Sequence, residues 1–193
     1  MKAFGTAAQK SREARHSSEN DEHVTPLEVA NAARQVLEVI ELDPASDALA
    51  NTIIRARRIY TKKDDGLAQP WHGRVFLNPP GGLIGKESQP KVWWNKLAQA
   101  WLDAEVECAL FVGFSIELLQ VAQLDVPVPP LDFPICVPER RLRFLHAPAV
   151  DAERLVPGQS PTHANVIVYL PPRWDFRGAR FAEHFAPIGR VRL

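Results

Sequence analysis

Cysteine is nearly absent from this chain: there are two in 193 residues, Cys108 and Cys136. They form no CxxC pair and have no histidine at zinc-finger spacing, which excludes a disulfide framework and a zinc ribbon on pattern alone. Both sit in apolar surroundings, ECALFVGF and FPICVPE, and read as reduced, buried small hydrophobes. A cytoplasmic protein is therefore expected. The six histidines show no ligand spacing, so no metal is assigned. No apolar run approaches the roughly 20 residues that span a bilayer, and no membrane partner is expected. The opening MKAFGTAAQKSREARHSSENDE lacks the apolar core of a secretory signal. It reads as a polar, disordered arm over residues 1–22, ahead of a single domain over 23–193.

Net charge is missing too, since 23 basic residues balance 23 acidic ones. A dedicated duplex binder is usually more basic. The charge is unevenly placed, however. RARRIYTKK (55–63) has five positive residues and no negative one, ERRLR (139–143) has three against one, and the last 21 residues are again net basic. Such runs supply either a solvated face or local phosphate contacts. No GxSxG elbow surrounds Ser115, so a hydrolase reading has little support.

Proline, by contrast, is plentiful at 17 residues, and its placement organises the reading. Thr25 is expected to cap a helix that Pro26 opens, with Leu27, Ala30, Ala33, Val36 and Leu37 recurring at helical spacing. VLEVIELD ends as a strand at Asp43, followed by Pro44-Ala45. DALANTIIRAR predicts a helix, RRIYT a short strand, and RVFL a strand that ends at Asn78-Pro79-Pro80. KVWWNKLAQAWLDAE predicts a long helix with Trp93, Leu97, Ala100, Trp101 and Ala104 on its core face, which points Trp94 elsewhere, toward a substrate or a lid. Trp71 reads as packing. ECALFVGF and ANVIVYL predict strands, SIELLQVAQ and FRGARFAEHF helices, and IGRVRL an edge strand. The five prolines of VPVPPLDFPICVPE predict an irregular connection around one short strand.

Strands that alternate with helices, several as unbroken apolar runs, predict an α/β fold. It is a doubly wound, largely parallel sheet in a single domain, covered on both faces. Ligands of such sheets sit at the carboxyl ends of the strands. Asp43-Pro44 and Asn78-Pro79-Pro80 both fall there, which turns two proline loops into one candidate pocket. The chemistry of the second loop is specific. An aromatic exocyclic amine is a poor nucleophile because its lone pair is delocalised; it needs acceptors on its protons rather than a strong base. Asn78 offers a side-chain carbonyl and Pro79 a backbone carbonyl. Proline fixes φ and removes N–H donors, so both acceptors are held in place and can stabilise charge that develops on nitrogen.

These features, in this order, resemble the phage-type DNA N6-adenine methyltransferases. Those carrying the likeness are Thr25-Pro26, LDPAS (42–46) trailed by Ala50-Asn51, Tyr60 before Asp65-Gly66-Leu67, and Trp71-x-Gly73 before VFLNPP. ALFVGFS (109–115), VPERRLRF (137–144), PTHANVIVYL (161–170), and Phe181, Phe185 and Gly189 follow; together they cover about residues 22–190. The resemblance implies a Rossmann-like methyltransferase fold and S-adenosylmethionine as cofactor. It also implies transfer of a methyl group to the N6 amine of adenine in DNA, in a bacterial or phage-infected cell. By it, Asn78, Pro79 and Pro80 are the amine-binding catalytic motif. Asp43, Pro44 and Ala45 meet the methionine end of the cofactor, Asp65 its adenine, and Thr25 and Pro26 line its other side. Where the family usually has an aromatic residue after the prolines, this chain has Gly81 and Gly82. Stacking on a flipped base then falls to Trp93, Trp94 or Phe114, and phosphate contact to Arg140 and Arg141. The loop GGLIGKESQPK is longer than a minimal link and is expected to act as a lid or DNA-facing flap. Two alternatives stay open: a methyltransferase acting on a protein glutamine or RNA adenine, and an inactive cofactor- or DNA-binding protein of the same fold.

Overall fold

The structure, a computed structural model, describes residues 24–146, 155–158, 163–174 and 178–193. The expected polar arm lies outside them. The first described helix, α1 (Leu27–Leu37), buries Val29, Ala30, Ala32, Ala33, Val36 and Leu37. Five small or β-branched residues on this face let it sit close on the sheet. Pro26, not Thr25, occupies its N-cap position, and no side chain caps it. Pro26 has φ −58°, so proline presets the entry, and Thr25 is instead buried one residue upstream.

Short strands β1 (Leu42–Asp43), β2 (Arg58–Ile59) and β3 (Gly73–Leu77) lead to the long β6 (Val106–Gly113). Later come β7 (Ile135–Pro138), β10 (Val166–Leu170) and β11 (Gly189–Arg192). They form one seven-stranded sheet in the order β11-β7-β10-β6-β3-β1-β2. The run β2-β1-β3-β6 is parallel. The other half is not: β10 runs antiparallel to both β6 and β7, and β11 antiparallel to β7. The sheet is thus mixed, parallel from the central β6 to the β2 edge and antiparallel beyond β6. β4 (Leu83–Ile84) pairs with β5 (Glu87–Ser88), and β8 (Leu145–His146) with β9 (Val156–Pro157), as separate two-stranded pieces.

Helices cover both faces, which is why β6 is buried at every position but Glu107. Helix α1, Ile54 of α2 (Ala48–Ile54) and the phenylalanines of α5 (Ala179–Phe185) pack on one face with Phe76, Leu110, Val112 and Tyr169. Helix α3 (Gln89–Leu102) and the single-turn α4 (Leu118–Val121) cover the other, against Val75, Leu77, Ala109 and Phe111. SIELLQVAQ forms only that one turn rather than the longer helix its pattern suggests. Both cysteines are free and buried, and burial pushes each thiol up to about 12. No helix among the described residues is long and apolar enough to cross a membrane.

Candidate functional site

From β1 the chain passes through α2 on one face to β2. From β3 it passes through α3 on the opposite face to β6. The connections therefore part between β1 and β3, and the carboxyl ends of those two strands are where the ligand of such a sheet is expected. Asp43 closes β1, and Asn78 follows directly after β3. The register pairs Leu42 with Val75, so Asp43 stands level with Phe76 and two residues short of Asn78. At strand spacing and rise, the Cα atoms of Asp43 and Asn78 are about 8 Å apart. Alternation puts Asp43 on the α1 face with Phe76, and Asn78 is in phase with them.

Asp43 is the unusual group here. It is only 2 % exposed, and its carboxylate receives one backbone hydrogen bond, from Ala45 N–H at 3.2 Å. Burial pushes its pKa up to about 7; Ala45 and the Ser46 hydroxyl oppose that push, and the nearby Asp47 charge adds to it. Ser46 Oγ is buried and makes no hydrogen bond of standard geometry. Asp47 is engaged elsewhere, accepting from Leu49 N–H (2.6 Å) and Ala50 N–H (2.8 Å) as the N-cap of α2. Asn51, part of the motif order, folds the exit of that helix: its side chain bonds both the N–H and the carbonyl of Ala56. That role is structural.

The loop around Asp65 forms a second wall. Asp65 is exposed with φ +52° and turns the chain into Gly66, where a Cβ would meet the Pro44 carbonyl oxygen at 2.0 Å and the Trp93 ring at 3.1 Å. The two loops lie backbone to backbone, and only glycine fits between them. Lys96 of α3 fixes this contact by donating to Leu67 O (2.6 Å) and Gln69 O (2.7 Å), while Trp71 Nε1 donates to Gly66 O (2.8 Å) and its ring stacks on Trp93 at 5.6 Å. Trp93 Nε1 is buried with no hydrogen-bond partner. Gly66→Ala is expected to cost about 1–3 kcal/mol of stability. It will also weaken any ligand that rests on Pro44; a lower melting temperature together with lost binding checks this.

The remaining expected residues divide. Thr25 and Pro26 are buried where α1 begins, and Val24 exchanges backbone hydrogen bonds with Leu145 (2.8 and 2.7 Å). Because α1 leads back to the start of β1, this corner lies at the same carboxyl edge. Pro79 is buried, while Pro80, Gly81 and Gly82 are exposed. Phe114, at the end of β6, is half-buried beside Phe144 and His163, with ring centroids 5.8 and 5.3 Å away. Arg140 and Arg141 are exposed just beyond β7, which runs in the same direction as β3. The basic segment 55–63 is split: Arg57 precedes β2, near Glu41 (3.9 Å), and Lys62 and Lys63 follow β2 at the carboxyl edge.

Trp94 does not face the site. It is fully buried, its Nε1 donates to Val128 O at 2.8 Å, and its ring meets Phe111 and Phe133 edge-on. The proline-rich segment 126–133 covers that side of α3, so Trp94 is core and cannot stack on a substrate. Sequence reasoning also passed over Gly66, Lys96 and Asn165. Asn165 is buried, accepts from Leu142 N–H (2.8 Å) and donates to Phe114 O (2.7 Å), tying the β6 exit to the basic 139–143 stretch. The signals were an Asp-Gly pair in a loop and one amide at the head of an apolar strand.

A cleft of about 220 Å³ lined by Glu41, Leu42, Arg58, Tyr60, Pro70, His72 and Gly73 lies toward the other end of β1. Neither Asp43 nor Asn78 lines it. No group of three or more His, Cys, Asp or Glu able to hold a metal occurs among the described residues. No family model matches this chain, and neither curated proteins nor solved structures provide a match. A functional reading rests on its own motifs and their placement.

Proposed function

We propose that this chain is a Rossmann-like, S-adenosylmethionine-dependent methyltransferase acting on the N6 amine of adenine in DNA. The observation that carries the reading is the juxtaposition of Asp43-Pro44 and Asn78-Pro79-Pro80 at adjacent strand ends across the sheet's switch point. The residues fit such a cofactor. A buried carboxylate that is met only by Ala45 N–H and the Ser46 hydroxyl is suited to an ammonium group. The close approach of Gly66 to the Pro44 carbonyl fixes the loop that follows Asp43. When bound, the cofactor supplies a methyl group as an electrophile on cationic sulfur.

The chain's own part is to hold the amine. Asn78 Oδ1 and the Pro79 carbonyl accept its two N–H bonds, which draws the lone pair out of conjugation. As positive charge develops on the nitrogen, the Asn78 and Pro79 oxygens would stabilise it. The excess proton leaves along the Asn78 or Pro79 hydrogen bond to solvent. Neither acceptor needs to be a strong base, because the methylated amine is acidic.

Gly81 bears on substrate contact. A Cβ there meets nothing within 4 Å, and its φ is not positive, so a larger side chain fits without strain. Base–aromatic stacking is worth about 1–3 kcal/mol. Gly81→Tyr is therefore expected to raise kcat/KM on DNA roughly 5-fold or more, chiefly through KM, as steady-state kinetics will read. Incubation with methyl-labelled S-adenosylmethionine and, separately, DNA, RNA and glutamine-containing peptides tests the substrate class: label in DNA supports the proposal, and label only in RNA or peptide transfers the chemistry to those amines.

A further inference from the structure

The segment after the prolines is a built blade rather than a slack loop. Strands β4 and β5 pair Leu83 with Ser88 and Ile84 with Glu87, leaving Gly85-Lys86 as a two-residue turn. Gly85 has φ +62° and is the only positive-φ residue of that turn, which is the type II′ pattern that matches strand twist. The base is clamped: Gln89 Nε2 donates to Gly81 O (2.9 Å) and Gln89 N–H to Gly82 O (2.9 Å), and Gly82 takes φ +87° to permit it. Leu83 and Ile84 are 66 % and 44 % exposed. As neighbours on a strand they point to opposite sides, so one packed face cannot hide both.

Two large aliphatic side chains in water at the tip of a clamped hairpin call for an occupant. The position of the hairpin and its charge say which. It leaves the chain directly beyond Asn78-Pro79-Pro80. The exposed basic residues at the same edge, Lys86, Arg140, Arg141 and Arg143, with Lys91 at the start of α3, outnumber Glu87, Glu117 and Glu139. An anionic partner with an apolar interior fits that combination, and a nucleic-acid duplex is one: phosphates outside, stacked bases within.

We infer that Leu83 and Ile84 form an apolar wedge that enters a DNA duplex beside the Asn78 pocket and fills the space left by the extruded base. The inference rests on the DNA reading above. Apolar wedges of this kind stabilise an unstacked base step, and extrusion of a paired base costs a few kcal/mol that a single strand never incurs. The wedge therefore matters for duplex and not for single strands.

The test compares methyl transfer to one mixed-sequence DNA as duplex and as single strand. The enzymes are wild type, the Leu83→Ala/Ile84→Ala double variant, and a Leu83→Met/Ile84→Met variant that keeps the apolar volume. Exposed positions leave folding intact in all three. Expected is a 10-fold or greater loss of duplex rate in the alanine variant, a single-strand rate within 2-fold of wild type, and near-normal rates on both in the methionine variant. Equal loss on both substrates, or no loss on either, overturns the wedge while leaving the transferase reading standing. Wild type that labels neither form overturns the DNA reading and the wedge with it.

Discussion

Asp43→Asn will yield a protein that is more stable than wild type at pH 8 and that binds the proposed cofactor only weakly. The sign follows from the direction of the shift. Burial raises the carboxyl from its ordinary 3.8 to about 7, so the folded state binds this proton more tightly than the unfolded chain. The stability that Asp43 contributes is full below about pH 4 and declines as pH rises through about 7. Roughly three pKa units set an upper limit of about 4 kcal/mol on the loss, and relaxation around a real buried group leaves less. An amide at this position removes the penalty. A gain of about 1 kcal/mol corresponds to about 2–4 °C in melting temperature for a chain of this size. Melting curves at pH 5 and pH 8 check it: the wild type falls relative to the variant between the two, and parallel behaviour contradicts the account. Binding moves the other way. A cationic ligand prefers the ionised carboxylate, so wild-type affinity should fall about tenfold per pH unit below about 7 and level off above it, while the variant binds weakly at both ends.

Asn78→Ala has the opposite profile. On the proposed reading it removes an acceptor for the reacting amine and leaves the buried carboxylate alone. Loss of one preorganised group at a reacting centre costs about 10²–10³-fold in kcat, with cofactor affinity kept within about 3-fold. Asn78→Asp retains an acceptor oxygen at the same place and should recover part of the rate. Equal activity of the alanine and aspartate variants would mean that position 78 does not hold the amine.

How much of this was legible from sequence depended on whether the deciding contact was local. Asn-Pro-Pro after VFL and Asp43-Pro44 after an apolar run could be placed at one sheet edge because strand alternation and chain order carry that information. Trp94 could not be placed. The 3.6-residue period of α3 shows one apolar stripe, but the prolines at 127–130 bring a covering segment over the second side, and no local pattern encodes that path. Thr25-Pro26 announced a helix start, yet proline geometry rather than a hydroxyl cap makes it. The reversed direction of β10 is equally silent, since VIVYL reads the same in either orientation. The hairpin at 83–88 has strands too short to show alternation. Gly66 was quoted only as part of a motif; its reason, a backbone oxygen 2.0 Å from where a Cβ would stand, exists only in three dimensions.

The measurement that bears most directly on the central claim is nucleoside analysis of DNA after incubation with methyl-labelled S-adenosylmethionine, with wild type beside Asn78→Ala. The account predicts labelled N6-methyladenine from the wild type and a 10²–10³-fold smaller yield from the variant, with both proteins folded and binding cofactor. Unlabelled DNA from a wild type that binds the cofactor would contradict it.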